Sequence, residues 1–562
     1  MVTRVLRLFE KEFSGLHEAA YLLALFALLS QTLAFFRDRL FAGYFGAGET
    51  LDLYYAAFRI PDFIFVTASS IVSVSILIPF LIERLTVSRE ATRRFIDTVF
   101  SGFSIGIVAV GALAYAFAPA LVRIFFPGFA DGALSESVVE LTRIMLLQPI
   151  FLGISNLFGS ITQARRRFFV YALAPLLYNA GIIGGILFLY PVFGLRGLAF
   201  GVVAGALFHL LVQVPIVARA GLLPRFTRIF EPGVLKSVSL VSLPRTLALS
   251  ANNLTLLLLI SFSSIVGAGA ISVFTLSWNL QSVPLTIIGA SYALAAFPTL
   301  VRLFAEGDRA AFGGKVADSI RHIVFWSSPA LALFIVLRAQ IVRTVFGVGA
   351  FDWTDTRLTA ASLALFAVSV VAQSVLLLFV RAFYAFGNTK VPLLVNVGAS
   401  VVTLLSAALF LKIFSAYPPV AFFVESLLKV AHLEGTAVLM LPLAYSFGTI
   451  LNAGVLWRLF ERSFGSFPRS VYRSLYQSFA AAVIMGFASY IFLNVFDDVF
   501  ALDTLPGIFF QGLLSGLLGI VLGVVVLVLL GNREVREVWE TLHHRIWKAK
   551  IVGPDPAENQ TI

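Results

Sequence analysis

The feature that most constrains this chain is the alternation of long apolar runs with short clusters of arginine and lysine. Fourteen apolar runs stand at about 17–45, 50–82, 95–126, 138–163, 168–190, 196–218, 237–265, 270–302, 318–346, 357–386, 391–414, 432–460, 470–496 and 505–531. Hydrocarbon offers backbone N–H and C=O groups no water, so a run of about 20 apolar residues crosses it as a helix that bonds itself. The pattern predicts an all-α polytopic membrane protein with 14 transmembrane helices. Composition agrees: 59% of residues are hydrophobic and only 13% charged, whereas charged residues make up about a quarter of a water-soluble domain. A soluble protein is therefore excluded, and so is a disulfide-built secreted domain, since the chain has no cysteine. Several runs are longer than a perpendicular helix needs, so tilts or kinks are expected, with Pro61, Pro149 and Pro284 as the kink points.

A formal charge of +11 would suit a nucleic-acid surface in a soluble protein. In a membrane chain, excess Lys and Arg is first a topology signal. With the first connection placed outside and the sides alternating, the inside segments hold 29 of the 41 Lys and Arg, among them Arg84, Arg89, Arg93, Arg94 and Arg165 to Arg167. The outside connections hold six, and the stretches 131–140 and 497–503 are acidic with no base. This asymmetry predicts that both termini are cytoplasmic and that no nucleic acid is bound. Residues 1–16 set Val5, Leu8, Phe9 and Phe13 against Arg4, Arg7 and Lys11, the pattern of an amphipathic helix on the membrane surface. Glu10 and Glu12 argue against a cleaved signal peptide. The cytoplasmic tail, 532–562, carries Arg533, Arg536, Trp539, Trp547 and Lys548 and reads as a second surface helix.

The chain also repeats itself. Pro175-Leu-Leu-Tyr-Asn179-Ala-Gly recurs as Pro392-Leu-Leu-Val-Asn396-Val-Gly, and Gly46-Ala-Gly48 recurs as Gly267-Ala-Gly269, at offsets of 217 and 221. Pro61 and Pro79 find counterparts in Pro284 and Pro298 at similar offsets. A repeat of six spans predicts two pseudo-symmetric six-helix lobes, 17–230 and 231–465, followed by a helix pair at 466–531. Residues 415–430 have no partner in the first copy and read as an outside insertion with a short helix. Two facing bundles suit alternating access, in which a central site opens to one side at a time. A static scaffold needs no such repeat.

Six bases lie within or near the spans: Arg37, Arg59, Arg123, Arg143, Arg245 and Arg338. An ionised side chain at mid-membrane costs at least about 2.5–3.5 kcal/mol, so each needs a partner, a cavity or an interface within reach. Arg123, Arg143 and Arg338 fall near span ends, where snorkelling suffices. Arg245, beside Pro244, suits either a cavity wall or an interface anchor. Arg37-Asp38 in the first span, and Asp52, Arg59 and Asp62 in the second, form either a structural ion-pair cluster or one wall of a polar cavity. In the second case an arginine fork suits a phosphate. The intramembrane amides Asn179, Asn252, Asn253, Asn279 and Asn396 either bond a neighbouring helix or line the cleft. None of the six histidines stands at metal-ligand spacing to another within a span, and no nucleotide-binding loop occurs in its strand-helix context. No cofactor, metal or catalytic set is expected.

In ordered segments the chain resembles the MurJ/MviN lipid II flippase family of the MOP transporter superfamily. The matching residues are Phe36-Arg-Asp-Arg39 leading to Phe45-Gly-Ala-Gly48 and Asp52, Ala57-Phe-Arg-Ile-Pro61, Phe126-Pro-Gly-Phe-Ala-Asp131, Ala174-Pro-Leu-Leu-Tyr-Asn179, Phe297-Pro-Thr-Leu300 and Arg381 through Pro392. The resemblance implies fourteen helices in two lobes with an extra pair. It also implies a substrate, lipid II, an undecaprenyl-pyrophosphate-linked disaccharide-pentapeptide carried to the outer leaflet of the bacterial cytoplasmic membrane for cell-wall synthesis. A monomer is expected, with membrane lipids as its surroundings. The family's cavity arginine in the first helix matches Arg37, but other family cavity charges fall on Gln31, Phe65-Val66, Trp278-Asn279 and Leu259, and sodium-site positions fall on Thr403 and Ala407. The substrate-binding set expected here is Arg37, Asp38, Asp52, Arg59, Asp62, Arg245, Asn252 and Asn279. Competing readings are a flippase for another polyprenyl-linked glycan of O-antigen type, a MATE-like exporter, and a non-transporting cell-wall scaffold.

Overall fold

The computed structural model describes residues 16–129, 132–227 and 231–547, so the amphipathic helix expected at 1–16 lies almost wholly outside the described residues. The first helices are α1 Leu16–Phe45, α2 Glu49–Ile71, α3 Val74–Val87, α4 Arg89–Ala116, α5 Ala118–Phe125, α6 Gly132–Met145, α7 Leu147–Ala164 and α8 Phe168–Gly184. They are followed by α9 Tyr190–Phe193, α10 Leu195–Leu211, α11 Val214–Arg219, α12 Pro232–Val266, α13 Ala270–Pro284, α14 Ser291–Ala305, α15 Arg309–Val336 and α16 Arg338–Phe346. The last are α17 Trp353–Ala367, α18 Val370–Ala385, α19 Lys390–Ala416, α20 Pro418–Leu428, α21 Met440–Phe464, α22 Arg469–Phe496, α23 Leu505–Leu529 and α24 Arg533–Trp547. The protein is an all-α polytopic membrane protein. Among the described residues, twelve helices are long and apolar enough to cross a membrane, or thirteen with α17 and α18 counted as one span bent by 44°.

The expected span at 50–82 is not among these. It is divided at Ser73, whose extended backbone precedes α3 and whose carbonyl accepts the Ile76 and Leu77 N–H groups. Its first part, α2, carries Glu49, Asp52, Arg59 and Asp62, more charge than apolar burial alone can hold in a bilayer. Local chemistry sets other boundaries. Ser88 Oγ accepts the Ala91 N–H at the start of α4, Asp308 caps α15 and Thr504 caps α23. Pro149 sits in the first turn of α7, where its missing N–H costs nothing. Pro284 is followed by a wide π turn at Leu285–Ala290. The short helix expected in 415–430 is α20.

The chain packs as two compact units. One comprises 1–281, 341–366 and 388–452; the other comprises 282–340, 367–387 and 453–562. In the first, α8 and the π turn Gly185–Leu189 lie directly on α10 through glycines. A Cβ on Gly181 would stand 2.3 Å from the Gly205 Cα, and one on Gly201 would stand 2.5 Å from the Gly185 Cα. Lipid tails are as apolar as side chains, so close backbone approach replaces hydrophobic exclusion as the packing force. In the second unit, phenylalanine takes over. Phe312, Phe379, Phe383, Phe460, Phe464 and Phe467 form a continuous ring cluster, with Phe460 stacked on Phe467 at 5.4 Å between centroids.

The tail helix α24 belongs to the second unit and is docked by charge. Arg321 of α15 is buried and pairs with the buried Glu534 at 3.3 Å and with Asp318 at 3.0 Å, while His322 meets Glu537 at 3.3 Å. The sequence reading of 532–562 as a surface helix missed this anchorage.

Because the α8/α10 seam has no room for side chains, Gly201→Leu is expected to cost about 1–3 kcal/mol or more through overpacking. Thermal unfolding of the purified protein should show it. Gly454→Leu, where a Cβ meets nothing within 4 Å, should leave the midpoint unchanged.

Candidate functional site

The site is built around Arg37, two turns before the end of α1. Its Nε and Nη2 both donate to Asp38 Oδ1, at 3.0 and 2.7 Å, and its Nη1 donates to Asn179 Oδ1 of α8 at 3.0 Å. The other oxygen of Asp38 accepts from Asn279 Nδ2 of α13 at 2.9 Å. A single charged chain, Asn179–Arg37–Asp38–Asn279, thus ties three helices together. Asp38 is 2% exposed, so these bonds stand in for the water that its carboxylate lacks. Tyr54 and Tyr55 of α2 and Tyr178 of α8 lie in the neighbourhood of Arg37. The hydroxyls of Tyr55 and Tyr178 are buried and, among the described residues, meet no partner.

One and two turns further along α2 from Tyr55 come Arg59 and Asp62. They border a crevice with Phe63 and with Asn253, Leu256 and Leu257 of α12. The Arg59 Nε is buried and lacks a hydrogen-bond partner among the described residues. Buried donors left open in a native structure call for an explanation, and here three of them lie around one arginine cluster. Of the expected set, Arg37, Asp38 and Asn279 come together, and Arg59 and Asp62 stand beside them. Asn252 is exposed; its neighbour Asn253 takes the crevice position. The side chain of Arg245 lies outside the described residues. The three tyrosines were not singled out from sequence; Asn179, which sits in the repeated Pro-Leu-Leu motif, was named among the amides that bond a neighbouring helix or line the cleft but was not in the expected set. Its repeat partner, Asn396, instead accepts from Asn452 at 3.0 Å.

Asp52 does something else. Its carboxylate accepts the N–H of Gly269 and the N–H and hydroxyl of Ser272, at 2.7, 2.7 and 2.5 Å, and it is fully buried. It caps the N-terminus of α13 from another helix. Reciprocally, Asp355 at the start of α17 accepts the Ala47 N–H at 3.0 Å. Both Gly-Ala-Gly repeats are tight turns, with positive φ at Gly46, Gly267 and Gly269, and each is gripped by a carboxylate from far along the chain, 308 residues away for Ala47 and 217 for Gly269. Arg39 donates to the Thr344 and Val345 carbonyls at the end of α16, and the Ala350 N–H donates to the Gly43 carbonyl at 2.8 Å. Among the described residues no three His, Cys, Asp or Glu converge as a metal site would require.

The family model described as "Lipid II flippase MurJ" matches residues 41–418. The chain belongs to this MurJ family. Among curated members it is similar to the lipid II flippase MurJ of Burkholderia cenocepacia, 26% identical over 398 residues that cover 69% of this chain and 77% of that one. A solved structure of lipid II flippase MurJ in an inward closed conformation covers 92% of this chain and 99% of its own, with a TM-score of 0.72 and 20% identity. An inward-facing multidrug resistance MATE family transporter of the MOP superfamily matches with a TM-score of 0.62 and 17% identity, covering 77% of this chain and 94% of its own. These likenesses establish the fold. The MurJ match takes in Asp52, Arg59, Asp62 and Asn279 but begins just after Arg37 and Asp38.

Asp52→Ala would leave two backbone donors and a hydroxyl open in a buried place, at about 1–3 kcal/mol each. Denaturant or thermal unfolding should show a larger loss than for Asp355→Ala, whose site is only half-buried. Equal losses would contradict the capping role.

Proposed function

We propose that this protein is a lipid II flippase, moving the undecaprenyl-pyrophosphate-linked peptidoglycan precursor across the bacterial cytoplasmic membrane by alternating access. Membership of the MurJ family sets the class. The observation that carries the reading in this chain is the set of open buried donors, Tyr55, Tyr178 and Arg59, around the Arg37–Asp38 pair. A pyrophosphate is a multivalent acceptor and supplies what those donors lack.

The arrangement suggests how loading and motion are coupled. Arg37 is neutralised by Asp38 while the site is empty, and Asp38 is also the tie to α13. A pyrophosphate that takes the Arg37 fork displaces Asp38, and the link to Asn279 is then free to change. Substrate thereby exchanges one internal ion pair for another and loosens α1 from α13 in the same step. In the orientation set by the lysines and arginines, with both termini cytoplasmic, the turns at 46–48 and 267–269 face outside. Their carboxylate grips then keep the outer end shut, and the headgroup enters from the cytoplasmic side. No bond is made or broken in the substrate, so the protein works as a carrier and not as an enzyme.

The test is complementation in cells depleted of their own lipid II flippase. The unmodified chain should restore growth, Arg37→Ala should abolish rescue, and Arg37→Lys, which keeps the charge but loses the fork, should rescue only in part. Failure of the unmodified chain despite membrane expression would overturn the lipid II assignment.

A further inference from the structure

Residues 417–435 join two helices long and apolar enough to cross a membrane, α19 and the span that begins at Thr436. Within this connection lies α20, Pro418–Leu428. Its 11 residues reach about 16 Å as a helix, too short to cross a hydrocarbon core of about 30 Å. Only Tyr417 separates it from the end of α19, so the chain holds α20 close to the surface through which α19 leaves the membrane.

The helix turns its apolar side outward. At about 100° per residue, Pro418, Pro419, Phe422, Phe423, Ser426 and Leu427 share one face, and Phe422, Phe423 and Leu427 are 70%, 64% and 64% exposed. A helix facing water carries its charged residues on that side. The one charge in α20, Glu425, is instead half-buried on the opposite side, where its Oε1 accepts from Thr436 Oγ1 at 2.6 Å, and Leu428 is buried beside it. Arg357 of α17 donates through Nε and Nη2 to the Lys429 carbonyl at 3.1 and 2.5 Å. These bonds fix the rotation of the helix, so the exposed face is a settled feature of the fold. Exposed lysines flank it, Lys412 near the end of α19 and Lys429 just after α20, and lysine beside a span end reaches lipid phosphate.

We propose that α20 lies in the membrane interface with Phe422, Phe423 and Leu427 among the lipid acyl chains. Chain continuity selects lipid over a protein partner: α19, from which α20 follows, exposes Val401, Leu405 and Leu409, the apolar surface of a helix in a bilayer. In the orientation proposed above this is the outer leaflet. Since α20 is bonded to α17 and to the start of the next span, its seat in the lipid fixes the level at which both meet the membrane. The match to the family model ends at residue 418, so this contact lies beyond the part of the chain that the model describes.

The chain has no cysteine, so one introduced cysteine carries a fluorophore to a single place. Phe422→Cys, Phe423→Cys and Leu427→Cys are labelled in the full chain in phosphatidylglycerol-containing nanodiscs, with Leu405→Cys as the reference for lipid and Glu434→Cys, an exposed position of the same connection, as the reference for water. Nitroxide-bearing lipid should quench the three labels as strongly as the one at residue 405, and aqueous iodide should quench them far less than the one at residue 434. Adding Phe422→Asp and Phe423→Asp to Leu427→Cys should exchange lipid quenching for iodide quenching, because charge is expelled from the acyl region. Iodide quenching at all three positions equal to that at residue 434 overturns the proposal. Shielding from both quenchers also overturns it, since protein then covers the face, as in a second copy of the chain. Unchanged lipid quenching with both aspartates present overturns it as well, because the dye and not the helix then seeks the lipid.

Discussion

Charge inside a bilayer has to be satisfied by the protein itself, and the first half of this chain is arranged around that requirement. Asp38 and Asp52 are both buried on neighbouring helices, where water is scarce and hydrocarbon offers nothing. Each is met by a group from distant sequence: Asp38 by Asn279, beside its chain neighbour Arg37, and Asp52 by the first turn of α13. These bonds fix the rotation of α1 and α2 about their own axes as well as their neighbours. A helix that turned by one residue would rotate its carboxylate by 100° into lipid or packed side chains. The fold of this half therefore follows from where its few charges stand.

The two carboxylates serve different ends because their partners differ. Asp52 accepts only from groups that have no other use, the orphan N–H donors of a helix start, and its bonds are permanent features of a closed turn. Asp38 shares its charge with a side chain that has a second possible partner, a phosphate. The Arg37 fork is geometrically suited to either. On the proposed reading a structural ion pair is also the loading site; the ion pair itself is the part that the structure shows.

Much of this was legible beforehand. Long apolar runs and the lysine and arginine asymmetry carried the polytopic class, and the repeated Gly-Ala-Gly marked the two tight turns. Arg37, Asp38 and Asn279 were identified because polar residues in apolar runs are conspicuous. Helix rotation was not legible: Asn253 faces the crevice and Asn252 is exposed, a distinction that neighbouring identical residues cannot reveal. Asp52 looked like cavity lining because a cap supplied across helices leaves no local signature such as a Ser or Asp before the helix it serves. The division of the second span at Ser73 was hidden because the serines around it, Ser69, Ser70 and Ser75, carry no charge and do not interrupt an apolar run. The tail carried the helical pattern of 533–547, but the pairing of Arg321 with Glu534 spans more than two hundred residues.

The bond from the Ala350 N–H to the Gly43 carbonyl joins main chain to main chain, beside Gly349, whose Cβ would stand 2.3 Å from that same Gly43 oxygen. It carries no side-chain identity, so substitution at Ala350 leaves it in place, whereas Gly349 and Gly43, whose own Cβ would stand 2.9 Å from Val348 Cγ1, have to stay small. Contacts of this kind are insulated from sequence drift. A contact of this kind asks only for small residues and a backbone path, so the side chains around it can change with little effect on how these two segments meet.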